Sequence, residues 1–283
     1  MQKIIITNKN GISITLGSQA PYYLETIEGA SEVPVIIESQ KAPGQDGAGY
    51  IGNSLDSRTL TLTGMMIVRN KPDEVLIARR KMQEVFNPKL GPVKLTYIHR
   101  GIEKEIISIV ETTPSFPNGS GNKGSCYQRY QLQLLCLEPF WMDTYDESTE
   151  MSYILGGLHF HLALPTKFSN RGFQRLATNH GDVDTPVVIV FKGPAINPQV
   201  TNQTTGQFIR INSELGENDK LTISTAFGQK YVKINGNDAF GYIDLESTFW
   251  QMVPGENLLS YASNNDSIKT KVSVNWRNRY VGI

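Results

Sequence analysis

His159 and His161 are one residue apart, so on a β-strand both side chains would point to the same face. With His180, Asp182 and Asp184 they make up a ligand set of the kind zinc accepts. Such a site needs three or four groups converging at about 2.0–2.2 Å from the metal, and nothing in the sequence brings these two segments together. Asp182 and Asp184 flank Val183 as residues of a turn entering a strand do. The expected role of all five residues is therefore ordinary strand and turn structure, with no metal. A glycosidase would need two carboxyl groups about 5–9 Å apart across a cleft, and no such pair can be nominated.

The run GSGNKGS at 119–125 has the composition of a phosphate-binding loop but not its order. In a P-loop the lysine and hydroxyl follow the last glycine and open a helix; here Lys123 precedes Gly124 and a strand follows. A hairpin tip is expected. There is no G-x-S-x-G elbow, and neither Cys126 nor Cys136 has an identifiable base. Asn202-Gln203-Thr204 would accept a glycan only in a eukaryotic secretory protein. No catalytic, cofactor-binding or metal-binding residue is assigned, and no cofactor or enzymatic activity is expected. Trp250 and Trp276 could stack on sugars if exposed; the competing expectation is that such aromatics fill cores or anchor subunit contacts.

The elements around these residues are mostly strands. Residues 4–7, 33–40 and 58–68 are rich in β-branched side chains, and Leu60, Leu62 and Gly64 alternate with Thr59, Thr61 and Thr63, the period of a strand covered on one face. Between two of them lies QKAPGQDGAGYIGNSLDS (40–57), read as a long glycine-rich loop that local structure alone does not hold. One helix is expected over 72–86. Asp73 and Glu74 suit its first turn, Val75, Ala78, Met82, Val85 and Phe86 form its apolar side, and Asn87-Pro88 ends it. Strands follow at 93–99 and 104–111 around a tight turn at Arg100-Gly101, and again at 127–137 after an uncommitted loop at 112–125. The acidic stretch 143–152 reads as a linker. Beyond it, short strands at 187–192, 207–212, 220–224, 230–234 and 269–276, with an Asn235-Gly236 hairpin turn, predict a β-sandwich.

Composition narrows the function classes. In 283 residues, 27 basic side chains balance 27 acidic ones, so neither a nucleic-acid binder nor a solvated tail is indicated. The cluster Arg79-Arg80-Lys81 reads as the solvated face of the helix. Two cysteines make no disulfide framework, and Cys136 lies in an apolar run. No apolar stretch reaches 18 residues and the first residues lack a signal-peptide core, so a soluble protein made without Sec-type export is expected.

Several segments resemble the distal tail proteins of long-tailed, non-contractile phages and prophages of Gram-positive bacteria. In the first half these are 44–64, 86–101 and YQRYQLQLLCLEPFW (127–141); in the second, NHGDVDTPVVIVFKGPAINPQVTNQTTG (179–206) and 254–283. The resemblance implies a mainly β protein: an N-terminal β-rich domain with one α-helix over 1–144, which forms a hexameric ring, and a C-terminal galectin-like β-sandwich over 145–283. It implies a structural hub joining the tail tube to the tail-tip or baseplate and host-adsorption proteins, with the tape-measure protein as a further partner. DNA would pass through the central channel without sequence-specific binding, and no membrane would be involved. The protein would be made in the bacterial cytoplasm and reside in the virion tail. The loop at 40–57 resembles the family's long loop, which reaches a neighbouring subunit or the tube. Interface candidates are Gln45, Asp46, Tyr50, Asn53, Arg58, Phe116 and Asn118. Two other functions are weighed against the hub: a carbohydrate-binding module using Trp250 and Trp276, and a component of a cell-wall hydrolase.

Overall fold

The computed structural model describes residues 2–68, 72–151, 155–156, 169–170, 174–265 and 269–283. It divides into two compact units, Met1–Thr144 with Tyr280–Ile283, and Tyr145–Arg279.

The first unit holds ten strands, β1 (Lys3–Thr7), β2 (Ser13–Leu16), β3 (Tyr22–Glu28), β4 (Val35–Gln40), β5 (Gly49–Leu55), β6 (Arg58–Ile67), β7 (Val93–His99), β8 (Ile102–Ser115), β9 (Tyr127–Cys136) and β10 (Trp141–Asp143), with helix α1 (Pro72–Val85) between β6 and β7. Its main sheet is antiparallel in the order β2-β1-β7-β8-β9-β6-β3. The far ends meet where the Gly17 amide donates to the Tyr22 carbonyl (3.1 Å) and the Leu24 amide to the Gly17 carbonyl (2.8 Å). The two ends of the sheet thus meet at this single bridge, as in a nearly closed barrel. Strand β8 serves both halves. Ile102–Ser108 pairs with β7, and register shifts beyond Val110 carry the rest onto β9, the sharp bend that bulges permit.

The alternation read at 59–64 is borne out. Leu60 and Leu62 are buried, Thr59 is exposed and Thr61 and Thr63 are half-buried. Gly64 lies on the inner face because the Tyr130 hydroxyl crosses it to donate to the Tyr23 carbonyl at 2.9 Å. A Cβ on Gly64 would sit 2.4 Å from that hydroxyl. Helix α1 buries Ala78, Met82, Val85 and Phe86 among the β-strand residues of this core, and the buried Tyr22 hydroxyl donates to the Ala78 carbonyl at 3.0 Å. Burial pushes the Tyr22 phenol up to about 12. The turn at Arg100-Gly101 has both residues at positive φ (48° and 85°), as a two-residue hairpin between paired strands needs.

Arg58, at the start of β6, has 0% of its surface exposed. Its Nη1 donates to the carbonyls of Ala30 (2.6 Å) and Gly29 (3.3 Å), and its Nη2 donates to the Val281 carbonyl. Trp141 Nε1 donates to the same Ala30 carbonyl at 2.9 Å. Gly29 is at φ +81°, with the Thr59 carbonyl only 2.0 Å from where a Cβ would stand, so only glycine lets the chain pass β6 this closely. The last four residues complete the corner. Lys104 Nζ lies 2.5 Å from Asp143 Oδ1 and 3.4 Å from the Tyr280 ring centroid, and the Tyr280 hydroxyl donates to Asp143 Oδ2 at 3.2 Å.

The second unit is a β-sandwich. One sheet pairs Glu147–Met151, Lys271–Trp276, Thr185–Lys192, Lys220–Ser224 and Tyr231–Ile234 in that order; the other pairs Gln174–Asn179, Gly255–Ala262, Gln199–Asn202 and Gln207–Arg210. Inward residues of both form one core, with Phe191 and Tyr261 ring centroids 5.8 Å apart. Asn235 and Gly236 take positive φ (52° and 85°) in the expected hairpin turn. The stretch read as a linker differs from expectation, since Glu147–Met151 is a paired strand whose Glu147 lies opposite Trp276.

Arg58→Ala leaves buried carbonyls without donors and opens a cavity, so it is expected to cost about 3 kcal/mol or more. Arg58→Lys rescues little of this, because one ammonium cannot span three carbonyls. Urea unfolding checks both, with the outward-facing Thr59→Ala as a control expected to change stability by under about 0.5 kcal/mol.

Candidate functional site

The most unusual surface is the segment read as a loop at 40–57. Its second half is strand β5, which pairs antiparallel with β4 from Val35↔Leu55 to Gln40↔Gly49, with a register shift between Glu38 and Ser39. This makes a two-stranded arm. Sequence pattern missed β5 because Gly49 and Gly52 interrupt the β-branched signal that marks strands. Every residue of β4 is exposed, and all of β5 except the half-buried Gly52 and Leu55. Val35, Ile36, Ile37, Tyr50 and Ile51 leave large apolar side chains in solvent, with Ile37 67% and Tyr50 66% accessible. A two-stranded hairpin is marginal in water without a covered face, and none of the described residues covers either face.

The structure sorts the interface candidates. Gln45, Asp46, Tyr50 and Asn53 all lie exposed on the arm, and Gln45 Oε1 accepts from the Ala42 amide at 3.0 Å, shaping the tip. Arg58 differs. It is buried at the arm's base with backbone partners of its own chain, so its guanidinium is a structural anchor and offers no surface to a neighbour. Phe116 is half-buried, packs on the barrel core and carries Arg79 over its ring at 4.6 Å. Asn118 is exposed in the following loop, where its carbonyl accepts from Asn122 Nδ2 at 2.9 Å. These two belong to a separate part of the unit from the arm strands. A second uncovered apolar surface lies beside α1, where Pro21, Tyr22, Ile67, Val68, Ile77 and Ala78 line a recess of about 490 Å³.

The residues weighed for chemistry are dispersed or internally committed. Lys123 of GSGNKGS lies in the turn closed by its amide to the Gly119 carbonyl and bridges to Gln128, as a hairpin tip should. His159 and His161 lie outside the described residues. His180 and Asp182 sit in a turn whose backbone amides donate to Asn278 Oδ1 and the Arg279 carbonyl. Among the described residues, no three or more His, Cys, Asp or Glu side chains are placed to hold a metal ion, and no helix is long and apolar enough to cross a membrane. Trp250 and Trp276 are 1% and 5% exposed in the sandwich core, with Trp276 Nε1 donating to Asn278 Oδ1 at 3.2 Å. The sugar-stacking role weighed for them is corrected accordingly: neither presents a ring face to solvent. Both cysteines are free thiols. Burial pushes the Cys136 thiol up to about 12, although the Arg58 charge pulls the other way.

Comparison with known proteins points to a phage tail. Residues 9–136 match the phage tail protein RIFT-related domain, and residues 180–280 match the C-terminal domain of the siphovirus-type tail component. A β-barrel unit followed by a β-sandwich, both matched by tail-protein models, defines a structural component of a phage tail. The chain belongs to the distal tail-type family of siphovirus tail proteins. No curated protein sequence matches it. Among solved structures, it is similar to the Dit protein of phage SPP1, described as a paradigm of the hub adsorption apparatus in phages infecting Gram-positive bacteria. The TM-score is 0.67 at 13% identity, over 98% of each chain. It is also similar to a chain of the phage P2 baseplate in its Ca-activated conformation, with a TM-score of 0.56 at 11% identity over 100% of this chain and 99% of that one. Identities this low establish a shared fold.

Two outcomes follow from burial. Trp250→Ala and Trp276→Ala should each destabilise the protein by about 3–5 kcal/mol in chemical unfolding, and acrylamide should quench the emission of both tryptophans weakly in the folded state. A thiol whose pKa is raised on folding contributes stability that is intact below the unfolded value and lost as pH rises. Between about 8.5, the ordinary thiol value, and about 12, unfolding should become easier by up to one proton's linkage. Cys136→Ala should remove that part of the slope, measured as urea midpoints across the pH series.

Proposed function

We propose that this protein is the structural hub of a phage tail tip. Copies assemble side by side through the first unit into a closed, six-membered ring between the distal end of the tail tube and the tail-tip or baseplate and adsorption proteins. The observation that carries the reading is the arm. Burying one exposed Ile of that size is worth about 1.5–3 kcal/mol, and the arm exposes five large apolar side chains that none of the described residues covers. A neighbouring copy or the tube end is the surface this reading supplies. The recess beside α1 adds uncovered apolar area to the same unit.

Family membership supports the tail setting, and balanced charge suits a ring whose channel passes DNA without retaining it. The partners on this reading are further copies of the chain, the tail tube protein, the tape-measure protein and the tip or baseplate proteins. The protein would be synthesised in the host cytoplasm and end in the virion tail. The hydrolase reading lacks a metal centre among the described residues, where no three or more His, Cys, Asp or Glu side chains are placed to hold an ion.

Native mass measurement and negative-stain imaging of the purified chain, alone and with the tail tube protein, test the proposal. A six-membered ring is expected. Ile37→Glu combined with Tyr50→Ser should leave monomers whose thermal midpoint stays within about 2 °C of the parent, since both positions are solvent-exposed in the single chain. A wild-type protein that remains monomeric in both conditions, or an arm variant that still forms the ring, would overturn it.

A further inference from the structure

The sandwich carries a candidate surface of its own. In its four-stranded sheet, Gln199 lies opposite Arg210 on one side and Ala262 on the other, and Thr201 lies opposite Phe208 and Ser260. Val200, Ile209 and Tyr261, at the alternate positions, are buried. The two rows therefore share the outer face of the sheet. Where that face ends, Asn197, Gln199, Arg210, Asn212, Ser263 and Asn264 surround a recess of about 360 Å³. That is at the small end of the roughly 300–1,000 Å³ typical of small-molecule pockets.

Its polar groups are held in place. Arg210 Nε donates to Gln199 Oε1 at 2.8 Å, and Gln199 Nε2 donates to Thr201 Oγ1 at 2.9 Å. Arg210 Nη1 and Asn212 Nδ2 both reach Asp244 Oδ2, at 3.5 and 3.4 Å. Asp244 is itself fixed by the Glu246 amide on Oδ1 at 3.0 Å. That amide, with Asn212 and Arg210, holds the carboxyl below its ordinary range. The Arg210 guanidinium also lies 5.3 Å from the Phe208 ring centroid. Ser263 Oγ accepts from the Ile196 amide at 3.0 Å.

The chemistry of the lining selects the ligand. Among the described residues Arg210 is the one ionisable side chain lining the recess, and Asp244 balances its charge, so on this lining neither a phosphate nor an organic cation finds net attraction. Amides and a hydroxyl predominate, so an apolar ligand would strand their hydrogen bonds. A carboxamide carries N–H donors beside an acceptor, and those not already spent between Gln199, Arg210, Thr201, Asn212 and Asp244 suit adjacent hydroxyl groups on a ring. We infer that this recess binds a neutral saccharide unit, with vicinal hydroxyls pairing to Asn197, Gln199, Asn212 and Asn264 and to the remaining N–H donors of Arg210. The site is distinct from the buried tryptophans and goes beyond the hub role, since a ring can assemble whether or not each sandwich holds a sugar.

The test is a titration of the full-length ¹⁵N-labelled protein, read on its side-chain amide signals. The probes are glucose, galactose, N-acetylglucosamine and rhamnose, with glucuronate, inorganic phosphate and a neutral tetrapeptide as comparisons. At least one neutral sugar should give saturable shifts confined to these Asn and Gln amides, with a Kd on the order of 1 mM. Arg210→Met should weaken binding at least about tenfold, as should the exposed Asn264→Ala, which cannot disturb the core. A deoxy analogue lacking one of the paired hydroxyls should lose affinity similarly, because its partners stay unpaired. No saturation by any neutral sugar up to about 50 mM, shifts unaffected by both variants, or preferential binding of phosphate, glucuronate or peptide would overturn the inference. Ring assembly measured on the same two variants separates this outcome from the hub reading.

Discussion

A single buried guanidinium fixes the corner from which the rest of the first unit is built. Placing a charge in the interior is costly unless its hydrogen-bonding capacity is met. Arg58 meets most of it, through Nη1 and Nη2, with backbone carbonyls of Gly29, Ala30 and Val281 rather than with a carboxylate, while its buried Nε finds no hydrogen-bond partner among the described residues. Burial depresses its pKa, partly offset by neighbouring Cys136 and Glu32. Because the Cys136 thiol is pushed up to about 12, it remains neutral and packs as an apolar group. The fork geometry of arginine matters here, since its donors diverge in one plane and can join three chain segments. Those segments are the turn that launches the arm, the first residue of β6 to which the arm returns, and the chain's final residues.

This arrangement explains how an arm with no core of its own can still have a defined origin. Gly29 passes against the Thr59 carbonyl, Trp141 doubles the hold on Ala30, and the Asp56 amide closes on the Pro34 carbonyl at 2.9 Å just above the base. Below that point Ala30 and Arg58 are buried and hydrogen-bonded to each other. Above it, strands β4 and β5 hold each other only by their ladder. Rigidity at the root with exposure along the length is the mechanical form expected of an element that reaches across to another molecule. The free arm would otherwise be an aggregation hazard, as exposed apolar strands are.

Much of this fold is legible in the sequence where the cause is local. The Leu60/Leu62 against Thr59/Thr61/Thr63 alternation, the apolar side of α1, and the Arg100-Gly101 and Asn235-Gly236 turns each depend on residues within a few positions of one another. Arg58 was not legible in that way. An arginine beside threonines reads as surface, and its partners are featureless carbonyls 28, 29 and 223 residues away. Trp250 and Trp276 carried the reverse ambiguity, because large aromatics serve cores and platforms alike, and only the packing of two sheets decides. The polar recess was hidden for a third reason. Gln199, Arg210 and Ala262 become neighbours through strand register alone, and none of these residue types announces a site by itself.

Charge balance takes on a more specific meaning against this background. The 27 positive and 27 negative side chains include pairs placed within contact distance on their own unit, such as Lys104 with Asp143, Arg129 with Glu25, Arg277 with Asp146 and Lys269 with Glu217. Most are exposed enough that each contributes little to stability. In total the charges cancel, leaving the molecule without a net charge. The surfaces left uncovered use other chemistry: aliphatic and aromatic side chains on the arm, amides and a neutralised arginine at the sandwich recess. Contacts of that kind gain little from long-range steering and depend on shape and desolvation at short range. On the proposed hub reading, a protein that holds its neighbours while a polyanion passes would benefit from that separation, because contacts of this kind are not the forces that would trap DNA.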